Sequence, residues 1–156
     1  MNKPVYLTEA GYKKLLKQLD TLEKNLAELM ATKDNIWHKG GDGWHDNFGF
    51  EELERTDIML SRQIEEIKET IKTANLVTPP NTNESVMIGH KTIVVFDNGE
   101  ERTFEIVGYL ESDSSKNMIA YDTLLGSAIL GPKRGDVRRC GEGKEKKHLT
   151  IKKIFR

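Results

Sequence analysis

Apolar residues recur along the first half of the sequence with alternating spacings of four and three. From Thr8 onward they form a regular series in which Lys33 takes one position: Leu15, Leu19, Leu22, Leu26, Leu29 and Ile36. This heptad spacing predicts an amphipathic helix from Thr8 to about Trp37, roughly 45 Å long at about 1.5 Å per residue. Thr8 is the predicted N-cap, and Glu9 would favour the positive end of the helix dipole.

A second heptad series follows, in which Asp57 takes one position: Phe50, Leu53, Leu60, Ile64, Ile67, Ile71 and Ala74. If the two helices fold back about Trp44 and His45, facing positions have numbers that sum to about 89 or 90. The facing apolar pairs would be Ile36 with Leu53, Leu29 with Leu60, Leu26 with Ile64, Leu22 with Ile67, Leu19 with Ile71, and Leu15 with Ala74. Lys33 and Asp57 would also face each other, and such a pair would penalise slipped registers. Alternatively, both side chains reach solvent independently.

Residues 77–84, with the sequence VTPPNTNE, separate this half from a second half of different pattern. Consecutive prolines cannot continue a helix, so we predict that the second helix ends there. Short β-type runs then surround Asn98-Gly99, a strong hairpin signal, and a closing strand has inward positions at Leu149, Ile151 and, less regularly, Ile154. The prediction is an α+β protein: an antiparallel coiled-coil hairpin in residues 1–77 with its tip at 40–49, a linker at 78–84, and a small domain dominated by antiparallel strands in residues 85–156.

The composition of the 156 residues is ordinary for a soluble protein, with 31% charged residues, 37% hydrophobic residues and a formal net charge of −1. Overall basicity is therefore excluded as a means of binding nucleic acid, although residues 131–156 are locally basic. Cys140 is the only cysteine, which excludes an internal disulfide and favours the reducing cytoplasm. The first residues contain no apolar signal core, and every apolar run is far shorter than the roughly 20 residues of a membrane span, so we expect neither secretion nor membrane insertion.

Two long blocks of the sequence match known patterns. Residues 6–22 read YLTEAGYKKLLKQLDTL, similar to an opening pattern of Thr, Gly, a Lys-Leu pair and a Leu-rich helix. Residues 123–137 read TLLGSAILGPKRGDV, similar to Ser-Pro-Leu-Gly-x-Ala-Leu-Leu-Gly-x-x-x-Gly-Asp-x-Val. Both patterns belong to the Gre family of bacterial transcript-cleavage factors, which this chain resembles over nearly its whole length. The resemblance implies an antiparallel coiled coil followed by an FKBP-like domain.

A third block lies in the segment between the two predicted helices. The family pattern there is Gly-Asp-Leu-x-Glu-Asn-Ala-Glu-Tyr. Gly41-Asp42 and Asp46-Asn47 match its two ends, and Phe50 stands at the Tyr position. One extra residue separates the two acids, Asp46 replaces Glu, and Phe48-Gly49 replaces Ala-Glu.

The resemblance implies a function at RNA polymerase. The hairpin would enter the secondary channel, and Asp42 and Asp46 would be catalytic, helping to hold a second Mg²⁺ shared with the polymerase active site. The polymerase would then cut the 3′ end of backtracked RNA. Carboxylates suit this role because Mg²⁺ prefers oxygen ligands and commonly takes only one or two from a protein. We expect a monomer that binds no membrane, contacts the nascent RNA 3′ end indirectly, and alone has neither tightly bound Mg²⁺ nor activity.

The resemblance and the residue types also suggest binding roles. The expected polymerase contacts are Trp44, His45, Asn47, Phe48, Thr123, Leu124, Leu125 and Gly126, and the expected RNA contacts are Lys13, Lys14 and Lys17. Each group has a plainer explanation: the acids cap a turn, the lysines cover a solvated helix face, and the apolar residues of the second block serve the domain's own core. Trp44 and His45 could instead stack on RNA bases, and His38 and His45 with the two Asp could form a chance metal site.

The sequence is compatible with two other functions. A Gre-like protein that occupies the channel and regulates or inhibits polymerase without promoting cleavage fits the altered tip, because catalytic geometry tolerates little displacement. Peptidyl-prolyl isomerisation follows only from the analogy with FKBP, and a fold does not determine a function. Whether two carboxylates converge on one metal position distinguishes cleavage from inhibition.

Overall fold

The structure, a computed structural model, describes residues 4–38, 48–141 and 146–156, and for Phe48 the backbone alone. Contacts within the chain divide it into two compact units. One unit holds the residues up to Tyr12 together with Ala74–Arg156, and the other holds Lys13–Thr73. The predicted α+β class, a helical hairpin combined with a largely antiparallel sheet, is confirmed, while the likeness to FKBP stays a prediction. None of the described helices is both long and apolar enough to cross a membrane.

Two long helices form the hairpin. Helix α1 spans Glu9–His38 and helix α2 spans Phe48–Thr73. We call the stripe on each helix that faces the other the seam. In α1 between Lys13 and His38, only the predicted seam positions are buried or partly buried, and in α2 the buried residues are Leu60, Ile64 and Ile67. The heptad prediction therefore identified the buried stripe of each helix.

Two ion pairs across the hairpin define its register. Lys33 Nζ lies 2.8 Å from Asp57 Oδ2, which confirms the predicted charged layer. Lys68 Nζ lies 2.6 Å from Glu23 Oε1, on the flank of the seam. The residue numbers sum to 90 in the first pair and to 91 in the second, close to the sum of 89 or 90 predicted for facing positions.

The ends of the helices were predicted with unequal success. Thr8 is the N-cap of α1, since its Oγ1 accepts a hydrogen bond from Gly11 N at 3.0 Å, and Glu9 lies in the first turn. The prediction that Ala74 belongs to the second helix was wrong. Ala74 instead begins strand β2 (Ala74–Val77), which pairs in parallel with β1 (Val5–Thr8) and places Ala74 opposite Val5. The backbone N–H and C=O groups of residues 74–77 pair with strand β1 instead of continuing the helix. Alanine is small and apolar, so it suits a helix seam and a strand equally.

The second unit is built on a five-stranded sheet with the order β5-β4-β3-β7-β6. All neighbouring strands are antiparallel except β4 and β5. The strands and the short helix α3 are β3 (Lys91–Phe96), β4 (Glu101–Val107), β5 (Met118–Ala120), α3 (Leu124–Ile129), β6 (Val137–Cys140) and β7 (Lys147–Phe155). Residues including Val94, Ile106, Ile129 and Leu149 form the core between the sheet and α3.

Two details of the sheet explain features of the sequence. The predicted hairpin at Asn98-Gly99 joins β3 to β4, and Gly99 has a φ of +79°, which suits glycine. The irregular alternation at Ile154 arises from a β-bulge, because the pairing of β7 with β3 shifts register between Ile93 and Val94. The shift returns Ile154 to the buried face beside Leu149 and Ile151.

Candidate functional site

The candidate tip is the segment that joins the two helices of the hairpin. Helix α1 ends at His38 and helix α2 begins at Phe48, so residues 39–47, KGGDGWHDN, connect the two helix ends. Several predicted site residues lie outside the described residues: Asp42, Trp44, His45, Asp46 and Asn47. Phe48 is placed only as the first residue of α2, and its side chain lies outside the described part of the chain.

An ion pair between Lys33 and Asp57 joins the two helices that flank this segment, and we call it the charged layer of the seam. Lys33 and Asp57 have side chains that are 20% and 19% exposed, so both are largely withdrawn from solvent. Asp57 also accepts a hydrogen bond from Ser61 Oγ at 3.2 Å, and Lys33 Nζ lies 5.9 Å from the centre of the Phe50 ring. The hydrogen bond from Lys33 holds the pKa of the Asp57 carboxyl below its ordinary value. The Asp57 carboxylate therefore stays charged at neutral pH, and the pair sets which residues of the two helices lie opposite each other.

His38, considered above as a metal ligand, lies close to a partner in its own helix. Its Nδ1 lies 3.1 Å from Asp34 Oδ1 and 2.9 Å from the Asp34 carbonyl oxygen. Within the described parts of the chain, no group of three or more His, Cys, Asp and Glu side chains is arranged to hold a metal ion. A ligand set that includes His45, Asp42 or Asp46 falls outside those parts.

Residues 123–126 form the N-cap and first turn of α3. Some of them hold the helix in place, and others have exposed side chains. Thr123 is the N-cap: its Oγ1 accepts from Gly126 N at 3.0 Å and donates to the Ala120 carbonyl at 2.8 Å. Gly126 is buried, and a Cβ there would lie 2.0 Å from the Ala120 carbonyl oxygen, so a larger residue cannot fit. Leu125 packs against the core, whereas Leu124 is 67% exposed. Of these four predicted contacts, Leu124 has the side chain most available to a partner.

A shallow cavity of about 600 Å³ lies beside this exposed leucine. Helix α3 lines one side of it, and residues 137–141, which include strand β6, line the other. Val137 is exposed, and Arg138 and Arg139 add positive charge. The basic character of residues 131–156 is visible in the sequence, but nothing there distinguishes Val137, Arg138 and Arg139 as a surface. Strand β6 has only four residues and pairs with β7, which places Arg139 opposite His148. The sequence around β6 has no pattern that predicts this pairing.

The predicted RNA contacts lie together near the start of the hairpin. Lys13, Lys14 and Lys17 are all exposed on α1. About two helical turns after Lys17, Lys24 forms an exposed ion pair with Asp20, in which Nζ lies 2.7 Å from Oδ2. The exposure of the three lysines suits both a solvated face and contact with a phosphate backbone.

Comparison with known proteins establishes the family. Residues 81–156 match the family model described as transcription elongation factor, GreA/GreB, C-terminal. The chain is 31% identical to transcription elongation factor GreA of Thermoanaerobacter pseudethanolicus, with 88% of each chain covered, and 30% identical to GreA of a Thermotoga species, strain RQ2, with 86% of each covered. Similar solved structures include Gfh1 of Thermus aquaticus (24% identity, 99% and 100% coverage, TM-score 0.47) and a GreA/GreB factor of Nitrosomonas europaea (15% identity, 97% and 99% coverage, TM-score 0.43). The chain belongs to the GreA/GreB family of transcription elongation factors.

Proposed function

We propose that this protein binds bacterial RNA polymerase through the secondary channel and stimulates cleavage of backtracked RNA by the polymerase's own Mg²⁺-dependent active site. One observation carries the proposal: two helices of 30 and 26 residues are held in register by Lys33 and Asp57 and are joined by a nine-residue segment that contains Asp42 and Asp46. A long hairpin suits a narrow channel, and its joining segment supplies carboxylates.

The chemistry proposed for the tip concerns Asp42 and Asp46. The polymerase-bound Mg²⁺ would supply stabilisation of the attacking and leaving oxygens, as in other two-metal sites. Asp42 and Asp46 would provide one or two oxygen ligands and orient the attacking water. Trp44, His45, Asn47 and Phe48 would hold the segment against the polymerase. The extra residue between the acids makes their spacing the property to test.

The remaining contacts follow from the exposed residues of the two units. Leu124, at the start of α3, would dock on the rim of the channel, while Thr123, Leu125 and Gly126 hold α3 in shape beneath it. Lys13, Lys14 and Lys17 would contact RNA phosphates, which predicts that factor binding to RNA-containing complexes weakens as salt rises.

A second function is favoured by a specific observation, the departure of the tip from the family pattern. One residue more separates the two acids than in the family pattern, and Asp46 has a shorter side chain than the Glu it replaces, so both changes would alter where a carboxylate oxygen lies. A factor with displaced carboxylates would occupy the channel and regulate or inhibit polymerase without promoting cleavage. The two functions share polymerase binding and differ in RNA cleavage.

One experiment tests both. A stalled, backtracked elongation complex of bacterial RNA polymerase is incubated with Mg²⁺, with and without the protein, and the RNA is resolved on a gel. The proposed function predicts short 3′ cleavage products that accumulate faster with the protein. Binding of the protein to polymerase is measured in parallel by co-elution. Unchanged or slower cleavage by polymerase that binds the protein supports the second function, and the absence of any polymerase binding overturns both.

A further inference from the structure

Glu111 carries a carboxylate that is buried at the start of helix α1. The residue is only 6% exposed, which is unusual for a glutamate. Thr8 N donates to Glu111 Oε1 at 2.8 Å, and Thr8 Oγ1 donates to Glu111 Oε2 at 2.5 Å. The same Thr8 hydroxyl accepts from Gly11 N at 3.0 Å. Glu111 therefore binds both donors of the N-cap residue, and the hydroxyl links the carboxylate to the first turn of the helix.

Two glycines leave the space that this carboxylate occupies. A Cβ on Gly11 would lie 2.0 Å from both Cδ and Oε1 of Glu111. A Cβ on Gly108 would lie 2.2 Å from Glu111 Oε1 and 2.7 Å from the Tyr6 carbonyl oxygen. Any side chain at either position would displace the carboxylate or the backbone of β1. Glu111, its hydrogen-bond partner Thr8 and the two glycines thus pack together, and we call this arrangement the Glu111 contact.

The backbone before Glu111 adopts an uncommon conformation. Leu110 has a φ of +58°, in the left-handed region that leucine rarely occupies. Glu111 N donates to the Gly108 carbonyl at 3.3 Å, so the chain turns sharply here. Tyr109 N also donates to the Tyr6 carbonyl at 2.8 Å, which attaches the same turn to β1. An unfavourable leucine conformation persists where the surrounding contacts determine it, and the contacts here are those with β1 and the N-cap.

We propose that Glu111 is a positioning residue for the proposed cleavage activity. Helix α1 is continuous from Glu9 to His38, so whatever holds its first turn also holds the start of the helix that leads to Asp42 and Asp46. The Glu111 contact holds that first turn through Thr8 and Gly11, which belong with Glu111 to the sheet-containing unit, and it does so without touching RNA, metal or the reacting atoms. This inference rests on the proposed function, because it assigns to Glu111 a part in delivering the tip.

A purely structural role makes a different prediction, and a double variant separates the two. Glu111→Ala removes the carboxylate, while adding Thr8→Asp supplies a strong N-cap whose own side chain accepts from Gly11 N. The double variant therefore restores helix capping without restoring the link between residue 8 and residue 111. Glu84→Gln is the matched control, because Glu84 is an exposed glutamate of the same unit.

The test combines two measurements on the full-length variants. Amide hydrogen exchange reports the link at residue 8 and the cap at Gly11, and cleavage in a backtracked complex is measured over a range of factor concentrations. In Glu111→Ala we expect exchange at residue 8 to rise about tenfold, the effect of losing a charge-assisted hydrogen bond. We also expect the maximal cleavage rate to fall about tenfold while the half-saturating concentration stays within about twofold. The double variant should regain protection at Gly11 but not the cleavage rate.

Several results would overturn the inference. Recovery of cleavage in the double variant would show that Glu111 acts only by capping the helix. Unchanged exchange at residue 8 in Glu111→Ala would show that the link does not hold the first turn. If the parent protein stimulates cleavage and Glu111→Ala does so equally, the inference alone fails. If the parent never stimulates cleavage, the proposed function fails and the positioning role fails with it.

Discussion

Lys33 and Asp57, 24 residues apart in the sequence, meet across the hairpin with Nζ 2.8 Å from Oδ2. They are the two polar exceptions in otherwise apolar heptad series. A slip of either helix by one heptad would separate the two charges and place Lys33 against an apolar seam residue, Phe50 or Ile64, and an unpaired charge away from water is costly. The pair therefore selects one register, even though a leucine pair would contribute more to stability.

The first prediction follows from this pair. Lys33→Leu and Asp57→Leu should each lower the melting temperature of the hairpin, because each leaves one charge in the seam without its partner. The variant with both leucines should melt at or above the temperature of the parent. Melting is followed by circular dichroism at the helix signal, and the four proteins form a double-mutant cycle.

The matched control for the cycle is the exposed pair of Lys24 and Asp20. Lys24→Ala should change the melting temperature little, because exposed ion pairs contribute little. If the double leucine variant melts as low as the single variants, the charged layer contributes to stability itself and does not serve mainly to select the register.

The hairpin could be predicted from the sequence because its signal is periodic and long. Heptad positions repeated over many turns identify the seam, and the pairing of Lys33 with Asp57 follows from counting. Strands β1 and β2 could not be predicted in this way. Each has four residues, and their parallel pairing depends on contacts between residues nearly seventy positions apart. Ala74 fitted the heptad series and was therefore assigned to the helix.

The candidate sites show the same limit. Two acids and several aromatic residues mark the joining segment in the sequence, so Asp42 and Asp46 could be selected from residue types alone. Nothing in the sequence distinguishes Glu111 from the other acidic residues, which number 25 with it. Its burial depends on Gly108, three residues before it, and on Gly11, which the fold brings to it from a distant part of the chain.

The second prediction concerns the pH dependence of stability. His90 is fully buried, and its Nδ1 accepts a hydrogen bond from Met87 N at 3.0 Å. Burial lowers the pKa of His90 below its ordinary value of 6.5, and the charge of Arg156 acts in the same direction, although the carbonyls of Thr82 and Ser85 oppose both. The unfolded chain then binds a proton more readily than the folded protein. His90 therefore makes the sheet-containing unit less stable as pH falls below about 6.5.

Urea unfolding at a series of pH values between 7.5 and 5.5 tests this prediction. The free energy of unfolding should decrease toward the acidic end in the parent protein. His90→Gln should reduce that decrease, because glutamine does not titrate. An equal decrease in the parent and His90→Gln would contradict the assignment to His90. The range lies above the pH at which carboxylates such as Asp57 become protonated.

The third prediction tests the docking residue. Leu124→Glu should weaken binding to RNA polymerase by roughly tenfold or more, since it places a charge on an exposed apolar contact. Stability should change by no more than about 0.5 kcal/mol, because the side chain is largely in solvent. Leu76→Glu is the control, because Leu76 is 58% exposed in β2 and has no proposed contact with polymerase. Equal binding by the two variants would exclude Leu124 from the interface.

The fourth prediction concerns the carboxylates of the joining segment. Asp42→Asn and Asp46→Asn preserve size and most hydrogen bonding but remove the negative charge that a hard cation prefers. If these side chains hold Mg²⁺ in the polymerase, each variant should lower the rate of stimulated RNA cleavage by a factor on the order of a hundred. Binding to polymerase should barely change, because the carboxylates would approach an already acidic centre and contribute little attraction without metal.

Cleavage rates and competition binding, measured on the same backtracked complex, separate the possible outcomes of these substitutions. Glu54→Gln is a suitable control, since Glu54 is an exposed acid on α2 near the joining segment and is expected to have no metal role. Cleavage that falls in both Asn variants but not in the control would assign the carboxylates to the reaction. If both Asn variants match the parent, or if the parent competes for the channel without stimulating cleavage, the carboxylates are not catalytic. The protein would then act by occupying the channel, because the extra residue of the segment would hold its acids away from the metal.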